Sequence, residues 1–184
     1  MIGAQRYLVG IVTVALVLVF RNDLDRGDAE AAFGDLALTT LVGGAGFVLA
    51  AVVTPAVVDR LSPPRWILTL LVVGGAVHLV PVVAVTLPSL LVTAFVLGLC
   101  SQGIKICVDT LVQTGVDDAF RGRVFSLYDV LFNVAFVAAA ATGAVVLPLD
   151  GLSTGLLLTL AVGHVGVAAA YARVSGGRSS RPAP

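Results

Sequence analysis

The chain has 184 residues, 58% of them hydrophobic and only 12% charged, with a mean hydropathy of +1.04 and a formal net charge of zero. Soluble domains carry about a quarter charged residues, so this composition fits lipid rather than water as the solvent. The balanced charge, without long runs of one sign, excludes an extended basic nucleic-acid surface and an acidic tail, so no nucleic-acid partner is expected.

A helix crosses the hydrocarbon layer with roughly 20 apolar residues, and the absence of water there leaves only helices and closed barrels as spanning structures. The first apolar run, 2–20, has few N-terminal charges, no small-residue cleavage site and further spans behind it, so it reads as a helix rather than a signal peptide. The Asp/Gly-rich stretch 21–35 separates it from the run 36–58. Ser62-Pro63-Pro64 separates that from 66–85, and Thr86-Leu87-Pro88 precedes 89–111. The polar stretch 113–123 leads to 124–147, and Pro148-Leu149-Asp150-Gly151 to 152–171. Stretches such as 8–20 and 135–147 are apolar on all sides instead of alternating, which excludes a barrel. The expected fold is an all-α membrane protein, a six-helix transmembrane bundle over 1–174, with a disordered cytoplasmic tail at 175–184.

Alternate loops differ sharply in basic residues. Arg6, Arg60, Arg65, Lys105, Arg121, Arg123, Arg173, Arg178 and Arg181 fall on one side, and Arg21 and Arg26 on the other, nine against two. The positive-inside rule then places both termini in the cytoplasm. The acidic cluster Asp23, Asp25, Asp28, Glu30 and Asp35 marks the first loop as a solvated external segment. Small residues at Gly43, Gly44, Gly46, Ala139, Gly143, Gly166 and Ala170 suit close helix approach inside the bundle. Cys100 and Cys107, two helical turns apart in one apolar run, are too distant for a disulfide and read as packing residues.

Ionisable groups inside a span are costly and face a cavity or a partner. Gln102, Lys105 and Asp109 share one face of the fourth span, Lys105 and Asp109 at pairing distance, as a gate, a charge relay or an interfacial ion pair. Asp129 and Asn133 share a face of the fifth span. A carboxylate there can take up a proton when desolvated and release it near a lysine; the alternatives are a structural hydrogen bond or an ion pair with Lys105. His78 and His164, each alone in sequence, read as buried neutral imidazoles bonded to nearby backbone or hydroxyl groups. No metal-ligand spacing, nucleophile elbow, phosphate loop or dinucleotide fingerprint occurs, so neither an enzyme nor a cofactor is expected.

Two loops carry a family resemblance. Pro55-Ala-Val-Val-Asp59-Arg60-Leu-Ser-Pro-Pro-Arg65 resembles the G-x-x-x-D-R-x-G-R-R loop of major facilitator transporters: Asp59, Arg60 and Arg65 match in type, Pro55 and Ser62 replace the glycines, and Pro63 and Pro64 replace basic positions. Asp109-Thr-Leu-Val-Gln113-Thr-Gly-Val-Asp117-Asp118-Ala-Phe-Arg121-Gly122-Arg123-Val-Phe-Ser126 is similar to the loop between the tenth and eleventh helices of exporter-like members. Together they put the chain in register with helices seven to twelve, the C-terminal half of that family.

The resemblance implies two inverted three-helix repeats in a bacterial inner membrane, and secondary active, proton-coupled export of a small molecule by alternating access. It implies a partner, either an N-terminal six-helix half or a second copy of the chain; a non-transporting remnant or membrane interaction subunit is the other reading. Asp59 then acts as a cytoplasmic latch against the opposite half, or simply as a solvated flank. Arg60, Arg65, Arg121 and Arg123 serve as gate residues or as topology anchors that snorkel to phosphates.

Overall fold

The computed structural model describes residues 1–24, 27–149 and 151–176. Six helices are long and apolar enough to cross a bilayer: α1 (Ile2–Leu24), α2 (Ala29–Val58), α3 (Pro63–Val83), α4 (Leu87–Gly115), α5 (Asp118–Val146) and α6 (Thr154–Ser175). No strand occurs among the described residues. The chain is an all-α, multi-pass membrane protein.

Most helices outrun the apolar segments that announce them, because hydropathy marks the edge of the hydrocarbon and capping chemistry marks the end of a helix. α2 starts at Ala29 rather than at 36: the Asp28 carboxylate accepts the Glu30 and Ala31 N–H groups at 3.1 and 2.9 Å, so Asp35 lies inside the helix, not in a loop. α3 starts on Pro63 and Pro64, whose missing N–H groups cost nothing in a first turn. α4 opens with a reciprocal cap between Thr86 and Ser89 and runs on to Gly115. With α5 beginning at Asp118, the expected loop 113–123 shrinks to Val116 and Asp117. α6 continues through Ser175, so the segment expected as a tail from 175 begins as helix; 177–184, with Arg178 and Arg181, lie outside the described residues, as do Asp25, Arg26 and Asp150.

Two helices carry local irregularities. α1 ends in a π turn, Phe20–Leu24. α3 tightens into a 3-10 turn at Val77–Leu79, where Pro81 has no N–H for the Val77 carbonyl and the Val80 N–H takes it instead.

The most extensive contacts pair α2 with α4 and α1 with α5, and α3 packs on both α4 and α6. Exchanging the first three helices for the last three turns the α2–α4 pair into the α5–α1 pair and maps α3–α6 onto itself. Since exchanged helices run in opposite directions, the bundle is built as two inverted three-helix repeats.

Lipid tails are as apolar as leucine, so dispersion contacts between closely fitted backbones hold the pairs together. A Cβ on Gly46 would overlap the Phe95 carbonyl oxygen, and one on Gly98 the Gly43 carbonyl oxygen, so α2 and α4 touch backbone to backbone. The related α1–α5 pair repeats the device: Gly10 faces Ala139 and Phe136, and Gly143 faces Val14. Behind these crossings, Ile67, Leu70 and Leu71 of α3 form a core with Ile104 and the free cysteines Cys100 and Cys107 of α4.

Gly98→Val should force α2 from α4 and cost about 1–3 kcal/mol. Gly44→Ala, with open space around its Cβ, should be neutral or stabilising by about 1 kcal/mol at most. Detergent unfolding read by the single tryptophan, Trp66, which bonds Thr54 across α2 and α3 at 3.4 Å, compares the two.

Candidate functional site

The polar groups of the bundle converge on α5. Its residues Phe125, Tyr128, Phe132 and Phe136 follow helical spacing on one side, with neighbouring rings in contact at centroid separations of 6.4 Å (Phe125–Tyr128) and 6.2 Å (Tyr128–Phe132). The Arg6 guanidinium of α1 stands over both Phe132 and Phe136, 4.5 Å from each centroid. Lys105 of α4 approaches the Tyr128 and Phe132 rings, at 5.4 and 5.9 Å. A cation over an aromatic face is stabilised by the ring quadrupole, which partly replaces lost hydration.

This geometry corrects the placement of Arg6. A basic residue near the start of the chain was expected to lie among the cytoplasmic anchors, yet Phe132 sits midway along α5 and Arg6 stands level with it. The reason is packing: Gly3 meets Leu131 and Ala135, so α1 enters its contact with α5 halfway up that helix.

Lys105 and Asp109 meet as an i,i+4 ion pair, Nζ to Oδ2 at 2.8 Å, with side chains 31% and 28% exposed. The Gln102 Oε1 atom is buried without a hydrogen-bond partner, and the buried Tyr128 hydroxyl of α5 lies against the Asp109 carboxylate. Lys105 and Asp109 are therefore brought together as their spacing predicts, and α5 adds the Tyr128 hydroxyl, which no spacing rule links to α4. Lys105 is committed to Asp109 and forms no pair with Asp129.

Beside the cluster a cavity of about 370 Å³ opens between α1, α2 and α4. Its polar lining is Arg6, Thr13, Thr39, Thr40 and Ser101, set among apolar side chains such as Phe47. The three threonine hydroxyls donate to the carbonyls of Val9, Asp35 and Leu36 at 2.8–3.0 Å, which leaves their oxygens as acceptors. Arg6 is the only charged residue in that lining.

Asp129 and Asn133 lie on a different face of α5. Both are exposed, Asn133 donates to the Asp129 carbonyl oxygen at 2.8 Å, and Ser126 extends the same stripe. Around them Leu127 is 63%, Val134 57% and Val137 66% exposed. α2 is similarly bare, with Leu41 at 71% and Val52 at 70%.

The two histidines, apparently isolated in sequence, meet where α3 crosses α6. Their ring centroids are 5.0 Å apart, in space left by Gly74 and Gly75. Each Nδ1 lies against a backbone carbonyl four residues back, Gly74 at 2.7 Å and Leu160 at 3.0 Å, and both Nε2 atoms are buried without a partner.

Two curated relatives, from Mycobacterium tuberculosis and Mycobacterium bovis, carry the name uncharacterized MFS-type transporter, and each is 31% identical to this chain over 150 residues. The chain matches a portion of an MFS-type transporter. The aligned residues make up 82% of this chain and 33% of each relative, so the chain spans about one third of their length. No family model and no solved structure matches it.

The loops that carry the MFS resemblance remain open to solvent. Asp59 caps the C-terminal end of α2, a position where the helix dipole disfavours a carboxylate, and its side chain has no partner among the described residues. Arg60, Arg65 and Arg123 are exposed. Arg121 folds back onto Asp118 at 2.5 Å and onto the Val116 carbonyl at 3.3 Å, bracing the start of α5.

Lys105→Met leaves Asp109 a solitary carboxylate and should destabilise the bundle by about 1–2 kcal/mol, less than a fully buried pair because both groups are partly exposed. Asp109→Asn added to Lys105→Met should recover part of that loss. A double-mutant cycle on unfolding in detergent reads the coupling, and additivity of the two changes would remove the pair from the stabilising contacts.

Proposed function

We propose that this chain is the C-terminal six-helix half of a secondary active transporter, an exporter of small molecules that rocks against a second six-helix bundle and draws energy from protons. One observation carries the reading: an exposed carboxylate, Asp129, lies about one and a half helical turns past Arg123 in the apolar helix α5. Hydrocarbon does not tolerate a lone carboxylate, so Asp129 calls for an aqueous cavity or a facing protein surface. The bare faces of α2 and α5 supply such a surface, and the cavity between α1, α2 and α4 supplies one wall of a shared binding site. The MFS-type relatives, about three times longer than the matched segment, supply room for the missing bundle.

In this reading Asp129 carries the proton in a site shared with the opposite bundle, and Asn133 steadies the helix below it. The Lys105–Asp109 pair, flanked by Gln102, opens and recloses as the bundle rocks. Asp59, Arg60, Arg65, Arg121 and Arg123 lie at the cytoplasmic mouth, where Asp59 docks on a helix N-terminus of the partner and latches the outward-open state. Both chain ends lie toward the cytoplasmic side of a bacterial inner membrane, as the eight-to-two division of basic residues that remains once Arg6 is set aside supports.

Assembly and coupling are tested in turn. In a Cys100→Ala/Cys107→Ala background, Val134→Cys on α5 should cross-link to a co-expressed N-terminal six-helix half, or to a second copy if the chain pairs with itself. Vesicles holding the assembled protein should show pH-gradient-driven transport absent from the lone chain. Asp129→Asn should abolish that driven transport and spare exchange. Unchanged coupling in this variant removes Asp129 from the proton role, and a strict monomer without flux under all pairings overturns the transporter reading.

A further inference from the structure

The geometry points to the cavity between α1, α2 and α4 as a binding site for a small organic anion, with Arg6 as its counter-charge. Arg6 stands at the middle level of the bundle, where no water-like medium compensates a guanidinium, and guanidinium groups stay protonated throughout the accessible pH range. Among the described residues it pairs with no carboxylate, and Asp109, whose partner Lys105 shares the Phe132 ring with Arg6, is already taken. Two phenyl rings lie against the guanidinium, which also lines the cavity, and its Nε is buried without an acceptor. Unsatisfied donor capacity of this kind is relieved most fully by a carboxylate or sulfonate, whose paired oxygens match the guanidinium fork.

The rest of the lining fits the other end of such a molecule. The hydroxyls of Thr13, Thr39 and Thr40 spend their hydrogens on their own helices and offer only oxygen acceptors, which do not compete with Arg6 for an anion. Phe47 and its apolar neighbours suit a hydrocarbon or aromatic body. A cavity of about 150 Å³ holds benzene, so the 370 Å³ here has room for a substituted ring with its charged group. As a statement about cargo this rests on the transporter reading; as a statement about binding it does not, and the experiment measures binding alone.

Lipid headgroups carry the same anionic chemistry, so the assay separates the two sources. The full chain in phosphatidylcholine nanodiscs is titrated near neutral pH with benzoate, benzyl alcohol and benzylammonium, and benzoate is titrated again in discs containing phosphatidylglycerol. Benzoate should bind about tenfold more tightly than benzyl alcohol, benzylammonium should not bind, and phosphatidylglycerol should leave the benzoate isotherm unchanged. Arg6→Gln should erase the preference for benzoate, and Arg6→Lys, which keeps the charge without the fork, should retain a weakened preference even if the glutamine variant fails to fold. Equal affinity for the acid and the alcohol, or benzoate binding that survives Arg6→Gln, overturns the proposal. Loss of benzoate binding in phosphatidylglycerol discs also overturns it and assigns the site to a lipid headgroup. Failure of vesicle transport alone leaves these binding results standing and falls on the transporter reading.

Discussion

Every feature of this bundle answers to one constraint: inside hydrocarbon a polar group that finds no protein partner is not rescued by water. The constraint first selects helices, which satisfy their own backbone. It then acts on side chains. Thr13, Thr39, Thr40, Thr93 and Thr142 all return their hydroxyl hydrogens to a carbonyl four residues back, and His78 and His164 use the same carbonyl positions. Charges that cannot be satisfied this way are sorted into three classes. Lys105 finds Asp109, Arg6 finds aromatic faces and a cavity, and Asp129 finds no side-chain partner among the described residues.

With the backbone satisfied internally, helix association depends on how closely surfaces fit, and glycine sets that distance. The two inverted repeats use it at equivalent crossings, α2 on α4 at Gly46 and Gly98, α1 on α5 at Gly10 and Gly143. These crossings hold α1, α2, α4 and α5 as a layer, with α3 and α6 packed behind it through the histidine contact and the Ile67–Leu71 core. The charged groups Arg6, Lys105, Asp109 and Asp129 all lie on that layer, while the buried histidine pair lies on the two helices behind it.

The number and order of helices are legible in the sequence because hydrocarbon thickness imposes its length on every span. Helix ends are less so, since Asp28, Thr86 and Ser153 cap helices in the polar zone, beyond the reach of an apolar count. The Lys105–Asp109 pair is legible because it is local, an i,i+4 contact on one helix. The Tyr128 and Phe132 rings beneath it, and the meeting of His78 with His164, depend on which helices become neighbours, and no spacing in one sequence records that. Arg6 is the instructive case. Distance from the first residue stands for membrane depth only if all helices start at the same level, and α1 meets α5 partway along it. The signal available was the arginine itself, within an apolar run, without an acid three or four residues away.

Arg6 and Asp129 finally divide the chemistry between what the chain supplies and what it requires. Arg6 faces a cavity lined by α1, α2 and α4, which has room for a small partner. Asp129 faces outward among bare valines and leucines, so what covers it is as wide as a helix face. A cation suited to a small anion and a carboxylate suited to a protein surface impose opposite demands, and the proposed two-bundle transporter would satisfy both at once: a second bundle would cover Asp129 and close the open side of the Arg6 cavity. Cargo binding and proton binding would then share one interface, so a change in either alters the contact between the bundles. That mechanical link is what the proposed coupling would require of the structure, and it would arise from two side chains, Arg6 and Asp129, on helices that pack directly against each other.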